Sequence, residues 1–333
     1  MTWFENLTGC SEVSPAQVRQ DVAVDGPRLR SHKNGRAWRY GTLETQTLAE
    51  LRDRVHDVLR EQKPLTVREV VGDVQTVHAD EGHANALFQV ASQFNLLEMA
   101  SPNVTPERGV GIYQRDRTQG PACAVAAGAG TIFRNYFVEV DGHIGQSADH
   151  QIDCLAGVGA LLGNTGERLW RMVNGYALPS AEGLQEIDDT LRGMDVSERD
   201  RLKRALRIGL QWDTEVTLSG ASHLVSQAFC SALPVAYATH PPAMWARLAR
   251  LILEASYEAT VCAAILKAAR TKNSTLFLTL LGGGSFGNDE AWIIDAMRYA
   301  LSQHRDGGLD GAISSHSQSQ PCVQELVRDF SGA

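Results

Sequence analysis

A glycine-rich segment near the C-terminus carries the residues best suited to bind an anion. It consists of Gly282, Gly283, Gly284, Ser285, Phe286, Gly287 and Asn288. Glycines let a backbone approach a ligand closely and adopt positive φ, which we expect at Gly284 in particular. Asn288 and Asp289 suit the N-cap of a following helix, whose first N–H groups and dipole favour negative charge. The spacing predicts a phosphate-binding loop, and the alternative is a glycine-rich turn that binds nothing.

A second group of polar residues lies between positions 93 and 120. Gln93 and Asn95 follow a predicted strand at 86–92, and ligands of open α/β sheets bind beyond the carboxyl ends of strands. A long loop then leads to a helix of small residues, and long loops in compact domains are often functional. The residues before and at this helix start are Asp116, Thr118, Gln119 and Gly120. We expect them to line the site, the alternative being turn formation and helix capping. For Asn95 the alternative is a loop residue that bonds its own backbone.

Two carboxylates in this region are candidates for acid–base chemistry. Asp116 lies between two arginines, whose positive charges favour the ionised form that acts as a base. Glu98 is flanked by leucine and methionine side chains, surroundings that raise a carboxyl pKa and suit an acid. We expect Asp116 to be the first choice and Glu98 the second. Helix capping or pairing with an arginine is the alternative role for Asp116.

The elements that must position these residues alternate between helix and strand. The last third of the chain is predicted as helix 242–269, strand 275–281, the glycine loop, helix 289–303 and strand 309–314. This order is typical of a sheet covered on both faces, so the predicted fold class is a three-layer α/β/α domain with a mixed sheet. Earlier in the chain we predict one helix over 122–134, a strand over 135–140 and a helix over 147–162.

The chain is long enough for one large domain or two average ones. We assign residues 1–60 to an N-terminal extension packed on the core. Residues 61–333 are assigned to one enlarged domain with a helical insertion at about 169–218. A split into two domains near residue 165 is the alternative, disfavoured because it would place the two candidate ligand loops on separate domains.

Composition narrows the function classes. Of the 333 residues, 43% are hydrophobic and 21% charged, as in ordinary globular proteins, and the net charge is −8. This charge argues against general binding to nucleic acids or membrane surfaces. The sequence has no apolar run of membrane-spanning length, and its first residues lack the pattern of a signal peptide, so we expect a cytoplasmic protein. Six widely separated cysteines and isolated histidines predict no metal, and we expect no cofactor.

In their order along the chain and in their short motifs, these segments resemble those of the macrodomain family that binds ADP-ribose, including its poly(ADP-ribose) glycohydrolase branch. The matching segments are Gly72-Asp73-Val74 after an early strand, Ala91-Ser92-Gln93-Phe94-Asn95 at a strand end, Gly120 with its small-residue helix, and Leu281 to Gly287. The resemblance implies that the backbone of 282–287 holds a diphosphate and that Asp73 lies near the adenine. It also implies that Phe286 and Asn95 contact the distal ribose.

The chain departs from the family pattern at the first loop. That loop lacks the Gly-Gly-Gly run and the paired glutamates of the glycohydrolase signature, while 1–60 and 169–218 have no counterpart in a minimal macrodomain. Three functions remain open at this point. They are hydrolysis of an ADP-ribose linkage, binding of ADP-ribose or an ADP-ribosylated target without turnover, and a scaffold with purely structural glycines.

Overall fold

The computed structural model describes residues 1–58, 63–218 and 220–331, which form fourteen strands and twelve α-helices. The strands are β1 (Val22–Asp25), β2 (Arg28–Ser31), β3 (Ala37–Arg39), β4 (Thr42–Thr47), β5 (Thr66–Val71), β6 (Leu87–Ala91), β7 (Glu139–Val140), β8 (His143–Ile144), β9 (Trp170–Val173), β10 (Tyr176–Pro179), β11 (Arg207–Glu215), β12 (Leu224–Cys230), β13 (Thr275–Thr279) and β14 (Asp310–Ser315). The helices are α1 (Trp3–Thr8), α2 (Pro15–Asp21), α3 (Leu48–Val58), α4 (Val74–Ala79), α5 (Gln119–Ala126), α6 (Gly128–Tyr136), α7 (Ala156–Leu162), α8 (Ala181–Gly193), α9 (Val196–Ala205), α10 (Pro242–Thr271), α11 (Glu290–Gln303) and α12 (Pro321–Phe330).

Seven strands form the central sheet in the order β4-β11-β12-β6-β13-β14-β5. Strands β12, β6, β13, β14 and β5 pair in parallel, so their carboxyl ends lie along one edge. Strand β11 is antiparallel to both of its neighbours, β4 and β12. The sheet is therefore mixed, as the sequence predicted.

Helices cover both faces of this sheet. On β12, the Sγ of Cys230 lies 3.3 Å from the Oγ1 of Thr260 in α10. From the other face of the same strand, Gln227 Nε2 donates to the carbonyl of Cys123 in α5 at 2.9 Å. Since alternate residues of a strand point to opposite faces, the sheet lies between two helical layers. The predicted three-layer α/β/α fold class is confirmed.

Strands β6 and β13 separate at their carboxyl ends. They pair only at Leu87 with Leu276 and at Phe88 with Phe277. Beyond these pairs, the side chain of Gln119 donates to the Gln89 carbonyl at 2.7 Å and accepts from the Ala91 N–H at 2.9 Å. One amide side chain thus satisfies the backbone groups that a neighbouring strand would otherwise bond, and the sheet opens beside it.

Three predicted elements differ in the structure. The helix predicted over 122–134 is two helices, α5 and α6, because Ala127 leaves helical geometry and the Gly128 N–H donates to Thr217 Oγ1 at 3.1 Å. The strand predicted over 135–140 and the helix predicted over 147–162 are wrong in extent. Only β7 is a strand there, and α7 begins at Ala156. Gln146 explains part of this, since its Nε2 donates to the buried carbonyls of Asn95 and Arg134 and fixes an irregular chain path.

The segments predicted to be an N-terminal extension and a helical insertion also supply strands to the central sheet. Strand β4 comes from the residues assigned to an extension and β11 from those assigned to an insertion. The earlier part of the chain packs on α6, where Phe4, Val18 and Trp38 form a buried cluster with helix residues. The boundary proposed near residue 60 lies outside the described residues, and the division into domains stays a prediction. No helix in the described ranges has the length and apolar character needed to cross a membrane.

Candidate active site

A cavity of about 440 Å³ opens at the carboxyl edge of the central sheet, where β6 and β13 separate. This is the usual ligand position in open α/β sheets, and the volume falls in the range of small-molecule sites. The predicted residues that line it are Asp73, Gln93, Glu98, Asp116, Thr118, Gln119, Gly120, Gly282, Gly284, Ser285 and Phe286. The two groups of polar residues, far apart in sequence, therefore face one cavity.

Four predicted residues do not line the cavity: Asn95, Gly283, Gly287 and Asn288. Asn95 is fully buried, its Oδ1 accepting from the Leu97 N–H at 3.1 Å and its Nδ2 donating to Gln151 at 2.8 Å. These contacts match the alternative considered for Asn95, a loop residue that bonds nearby backbone. Asn288 donates through Nδ2 to the Leu233 carbonyl at 2.8 Å and so ties the glycine loop to the segment after β12. Asp289, not Asn288, caps α11.

The glycines of the loop differ in backbone conformation and in the space available for a side chain. Gly282 and Gly287 have positive φ, 78° and 68°. A Cβ at these two positions would lie 2.4 Å from Ala232 Cβ and 2.8 Å from Ala236 Cβ. Gly284 lies outside the left-handed region, and a Cβ there would meet no atom within 4 Å. The prediction of positive φ at Gly284 is wrong, because the left-handed residues are those at the two ends of the loop.

The glycine loop presents unpaired backbone donors. It is closed by the N–H of Asn288 on the Gly282 carbonyl at 2.9 Å and by the N–H of Gly287 on the Gly284 carbonyl at 3.0 Å. Within the described residues, no acceptor is paired with the N–H groups of Gly282, Gly284, Ser285 and Phe286. Grouped backbone N–H donors on a cavity wall form a site for negative charge.

The opposite wall contains the turn before α5. Asp116 Oδ1 accepts from the N–H and the hydroxyl of Thr118, at 2.9 and 2.7 Å, while its Oδ2 accepts no hydrogen bond from the described residues. Gly120 packs tightly against the end of β6, since a Cβ there would lie 1.9 Å from the Ala91 carbonyl oxygen. Asp116 therefore has one oxygen fixed by the turn and a second oxygen available at the cavity wall.

Glu98 forms part of the wall from a fully buried position. Its Oε1 lies 3.6 Å from Arg134 Nη2, and neither carboxylate oxygen has a hydrogen-bond partner among the described residues. Burial raises the pKa of Glu98 to about 8, and the positive charge of Arg134 offsets only part of that rise. Arg134 is itself held by its Nε–H donating to the Leu96 carbonyl at 3.1 Å and by the ring of Phe229. Burial thus favours the protonated form of the Glu98 carboxyl.

The raised pKa of Glu98 predicts a pH dependence of stability. An unfolded carboxyl releases its proton near the ordinary value of 4.5, whereas the folded protein holds it up to about 8. The stability contributed by neutral Glu98 is therefore fully present below pH 4.5 and is lost as the pH rises through 8. Glu98→Gln stays neutral, so its free energy of unfolding relative to wild type should increase from about pH 5 to about pH 9, by on the order of several kcal/mol.

Urea unfolding of both proteins at several pH values measures this difference. The exposed Glu139→Gln is the matched control and should show no such trend. A Glu98→Gln difference that stays constant across the pH range would contradict a proton held by buried Glu98.

The sequence reasoning missed an aromatic part of the wall. The rings of Tyr176, Tyr237 and Phe286 lie with centroids 5.1 to 5.7 Å apart. Tyr176 comes from β10, and its hydroxyl donates to the Met99 carbonyl at 2.7 Å. Gly175 lets this hairpin approach the end of β6, because a Cβ there would lie 2.6 Å from Asn95. Nothing in the local pattern around Tyr176 or Tyr237 indicates a site, since tertiary contacts alone bring them together.

Solved structures similar to this chain include poly(ADP-ribose) glycohydrolases. One is the Deinococcus radiodurans enzyme in complex with ADP-ribose, 12% identical, with a TM-score of 0.46 over 87% of this chain and 94% of that chain. Another is the Thermomonospora curvata enzyme, 11% identical, with a TM-score of 0.46 over 95% of this chain and 96% of that chain. Its complex with the inhibitor ADP-HPD is 11% identical, with a TM-score of 0.45 over the same shares. No family model and no curated protein matches the sequence.

Proposed function

We propose that this protein binds ADP-ribose in the cavity and hydrolyses an ADP-ribose linkage. The observation that carries the proposal is the group of N–H donors at Gly282, Gly284, Ser285 and Phe286, which find no acceptor in the described part of the chain. A diphosphate has the charge and the acceptor oxygens that such donors bind. The macrodomain-like motifs of the same segment support ADP-ribose as the diphosphate compound.

The positions of the other wall residues support an orientation of the ligand. Asp73 caps α4 and lies in the wall after β5, so in this proposal the adenine lies on that side. The distal ribose lies toward Phe286, Tyr176 and Tyr237, whose rings offer an apolar surface. Asn95 shapes the end of β6 and does not touch the sugar, because its side chain is engaged with Leu97 and Gln151.

Asp116 is the proposed catalytic base. Its free Oδ2 can accept a proton from water, and the hydroxide that forms attacks the anomeric carbon of the distal ribose. The bond from that carbon to the linked group breaks, and the leaving group takes up a proton. Burial favours the protonated form of Glu98, which makes Glu98 the second candidate, as the donor of that proton.

Binding without turnover is the second candidate function. It is favoured by the engagement of Asp116 Oδ1 with Thr118 and by the complete burial of the Glu98 side chain. Release of ADP-ribose from modified protein and modified nucleic acid separates the two functions. The hydrolase proposal predicts release by the wild-type protein from at least one of these substrates. Saturable binding of ADP-ribose with no release from either would leave a binding module.

The cavity wall takes residues from 72–122, 176 and 232–316, which supports treating 61–333 as one functional unit with 1–60 packed against it. In this proposal the protein works in the cytoplasm on an ADP-ribosylated target. Its net charge of −8 disfavours general binding to nucleic acids.

Replacing Phe286 by alanine should weaken ADP-ribose binding by about 1 kcal/mol, the scale of one aromatic contact. The effect is modest because Tyr176 and Tyr237 still cover that side of the cavity. Calorimetric titration of both proteins measures it. Phe133→Ala is the matched control, since this half-buried ring stacks on Tyr40 outside the cavity wall. An unchanged affinity in Phe286→Ala would remove Phe286 from the ligand site.

A further inference from the structure

The carboxylate of Glu12, in the segment between α1 and α2, is bound by a distant part of the chain. Its Oε1 accepts from the Val110 N–H at 2.8 Å and from the Tyr136 hydroxyl at 2.7 Å. Its Oε2 accepts from the Gly111 N–H at 2.7 Å. Both oxygens are therefore engaged, and all of these partners donate, so an ionised carboxylate fits this place and an amide does not.

The segment 109–111 is shaped around this carboxylate. Gly109 has φ of 87°, and a Cβ there would lie 2.5 Å from the Glu12 Cδ. A Cβ at Gly111 would lie 2.6 Å from the Glu12 Oε2. Because Gly109 and Gly111 have no side chains, they leave the space that the Glu12 side chain occupies. The contact therefore depends on the residue types in both segments.

Trp3 of α1 holds the same turn. The indole N–H of Trp3 donates to the Val110 carbonyl at 2.9 Å. The backbone N–H of Trp3 donates to the Gln114 side chain at 2.8 Å. Residues 110–114 are therefore fixed by the N-terminal segment at several points.

This turn leads directly to the two candidate carboxylates. Gly111–Arg115 form a single 3₁₀ helix, and the Asp116 N–H at its end donates to the Tyr113 carbonyl at 3.0 Å. The Tyr113 hydroxyl accepts from the Glu98 N–H at 3.1 Å. The short helix held by Glu12 thus contacts the backbone of both Asp116 and Glu98.

We propose that Glu12 is a positioning residue for the reaction assigned to the cavity. It fixes 109–116 so that Asp116 keeps its place in the cavity wall. The inference rests on the proposed function, but its structural part concerns the order of 109–116 and is measurable without activity. Glu12 lies outside the cavity wall, so it acts through the loop alone.

The test compares wild type, Glu12→Gln and the control Asp25→Asn. Asp25 ends β1 and makes an exposed ion pair with Arg30 at 3.4 Å, so its replacement removes the same charge without touching the turn. Amide hydrogen exchange reports the order of 109–116, and steady-state kinetics on an ADP-ribosylated protein gives kcat and KM.

Glu12→Gln should speed exchange in 109–116 by at least about fivefold, the effect of losing one to two hydrogen bonds. It should lower kcat about tenfold while KM stays within about twofold, since a misplaced catalytic group costs rate more than binding. Asp25→Asn should match wild type in every measurement.

Unchanged exchange in 109–116 of Glu12→Gln would overturn the proposal, and so would a kcat equal to that of wild type. If wild type releases no ADP-ribose, the proposed function fails, and the exchange rates alone decide whether Glu12 orders the loop. If Glu12→Gln does not fold, Glu12→Asp takes its place, because it keeps the charge but is too short to reach all three donors. It should show the same faster exchange in 109–116, and exchange equal to wild type would again overturn the proposal.

Discussion

Replacing Gly284 by valine is expected to lower ADP-ribose affinity at least about 100-fold while the protein stays folded. The valine side chain would enter open space beside the unpaired N–H groups of Gly284 and Ser285, where the proposal places the diphosphate. Loss of two hydrogen bonds to a charged group corresponds to roughly 3 kcal/mol or more, which gives the expected factor. The fold should tolerate the change, because Gly284 has no left-handed φ and a Cβ there meets no neighbour.

Calorimetry with ADP-ribose and thermal unfolding together test this expectation. Gly193→Val is the matched control, because a Cβ at Gly193 also meets no atom within 4 Å and its φ is not left-handed. Gly193 ends α8, away from the cavity wall, so this variant should bind as wild type does. Full affinity in a folded Gly284→Val protein would move the diphosphate site away from 282–286.

Replacing Asp116 by asparagine is expected to lower kcat by about 10²- to 10⁴-fold, the contribution of a general base. The asparagine oxygen can still accept from the Thr118 N–H, so the turn before α5 should keep its shape. An amide cannot take up a proton, so the activation of water is lost. Affinity for ADP-ribose should stay within about threefold of wild type, since the diphosphate contacts lie on the other loop.

The control for this variant is Asp80→Asn. Asp80 makes the same kind of turn contact, accepting from the Gly82 N–H at 2.8 Å, but it lies outside the cavity wall. Turnover in Asp80→Asn should equal that of wild type. Unchanged turnover in Asp116→Asn would remove Asp116 as the base. If Glu98→Gln alone loses turnover with binding intact, the catalytic role passes to Glu98.

Much of the fold follows from local sequence. The apolar residues of β13 predict a buried strand, the glycines predict its end, and Asp289 predicts the start of α11. Strand ends predict the glycine loop and Gln93, while a long loop and a helix start predict Asp116 to Gly120. They line one cavity because parallel strands share a carboxyl edge. The break at Ala127 was missed because the residues around it are uniformly small and apolar, so periodicity gives no sign of it.

The parts of the site that could not be predicted depend on long-range contacts. Asn95 turns to Gln151, 56 positions away, and this pairing removes it from the cavity wall. Tyr176 and Tyr237 meet Phe286 only through tertiary packing of separate segments. Glu12 binds backbone 98 positions away, so nothing in its own neighbourhood marks it. The roles of these residues depend on which elements pack together in the folded chain. The local sequence around each residue does not show that packing.

The most direct test of the central claim is a calorimetric titration of the wild-type protein with ADP-ribose, compared with adenosine. We expect saturable binding of ADP-ribose at one site per chain, because the N–H groups of Gly282, Gly284, Ser285 and Phe286, which have no acceptor among the described residues, hold the diphosphate. Adenosine lacks that group and should bind at least about 100-fold more weakly. Absence of heat with millimolar ADP-ribose, or equal affinity for the two compounds, would show that this loop does not bind a diphosphate.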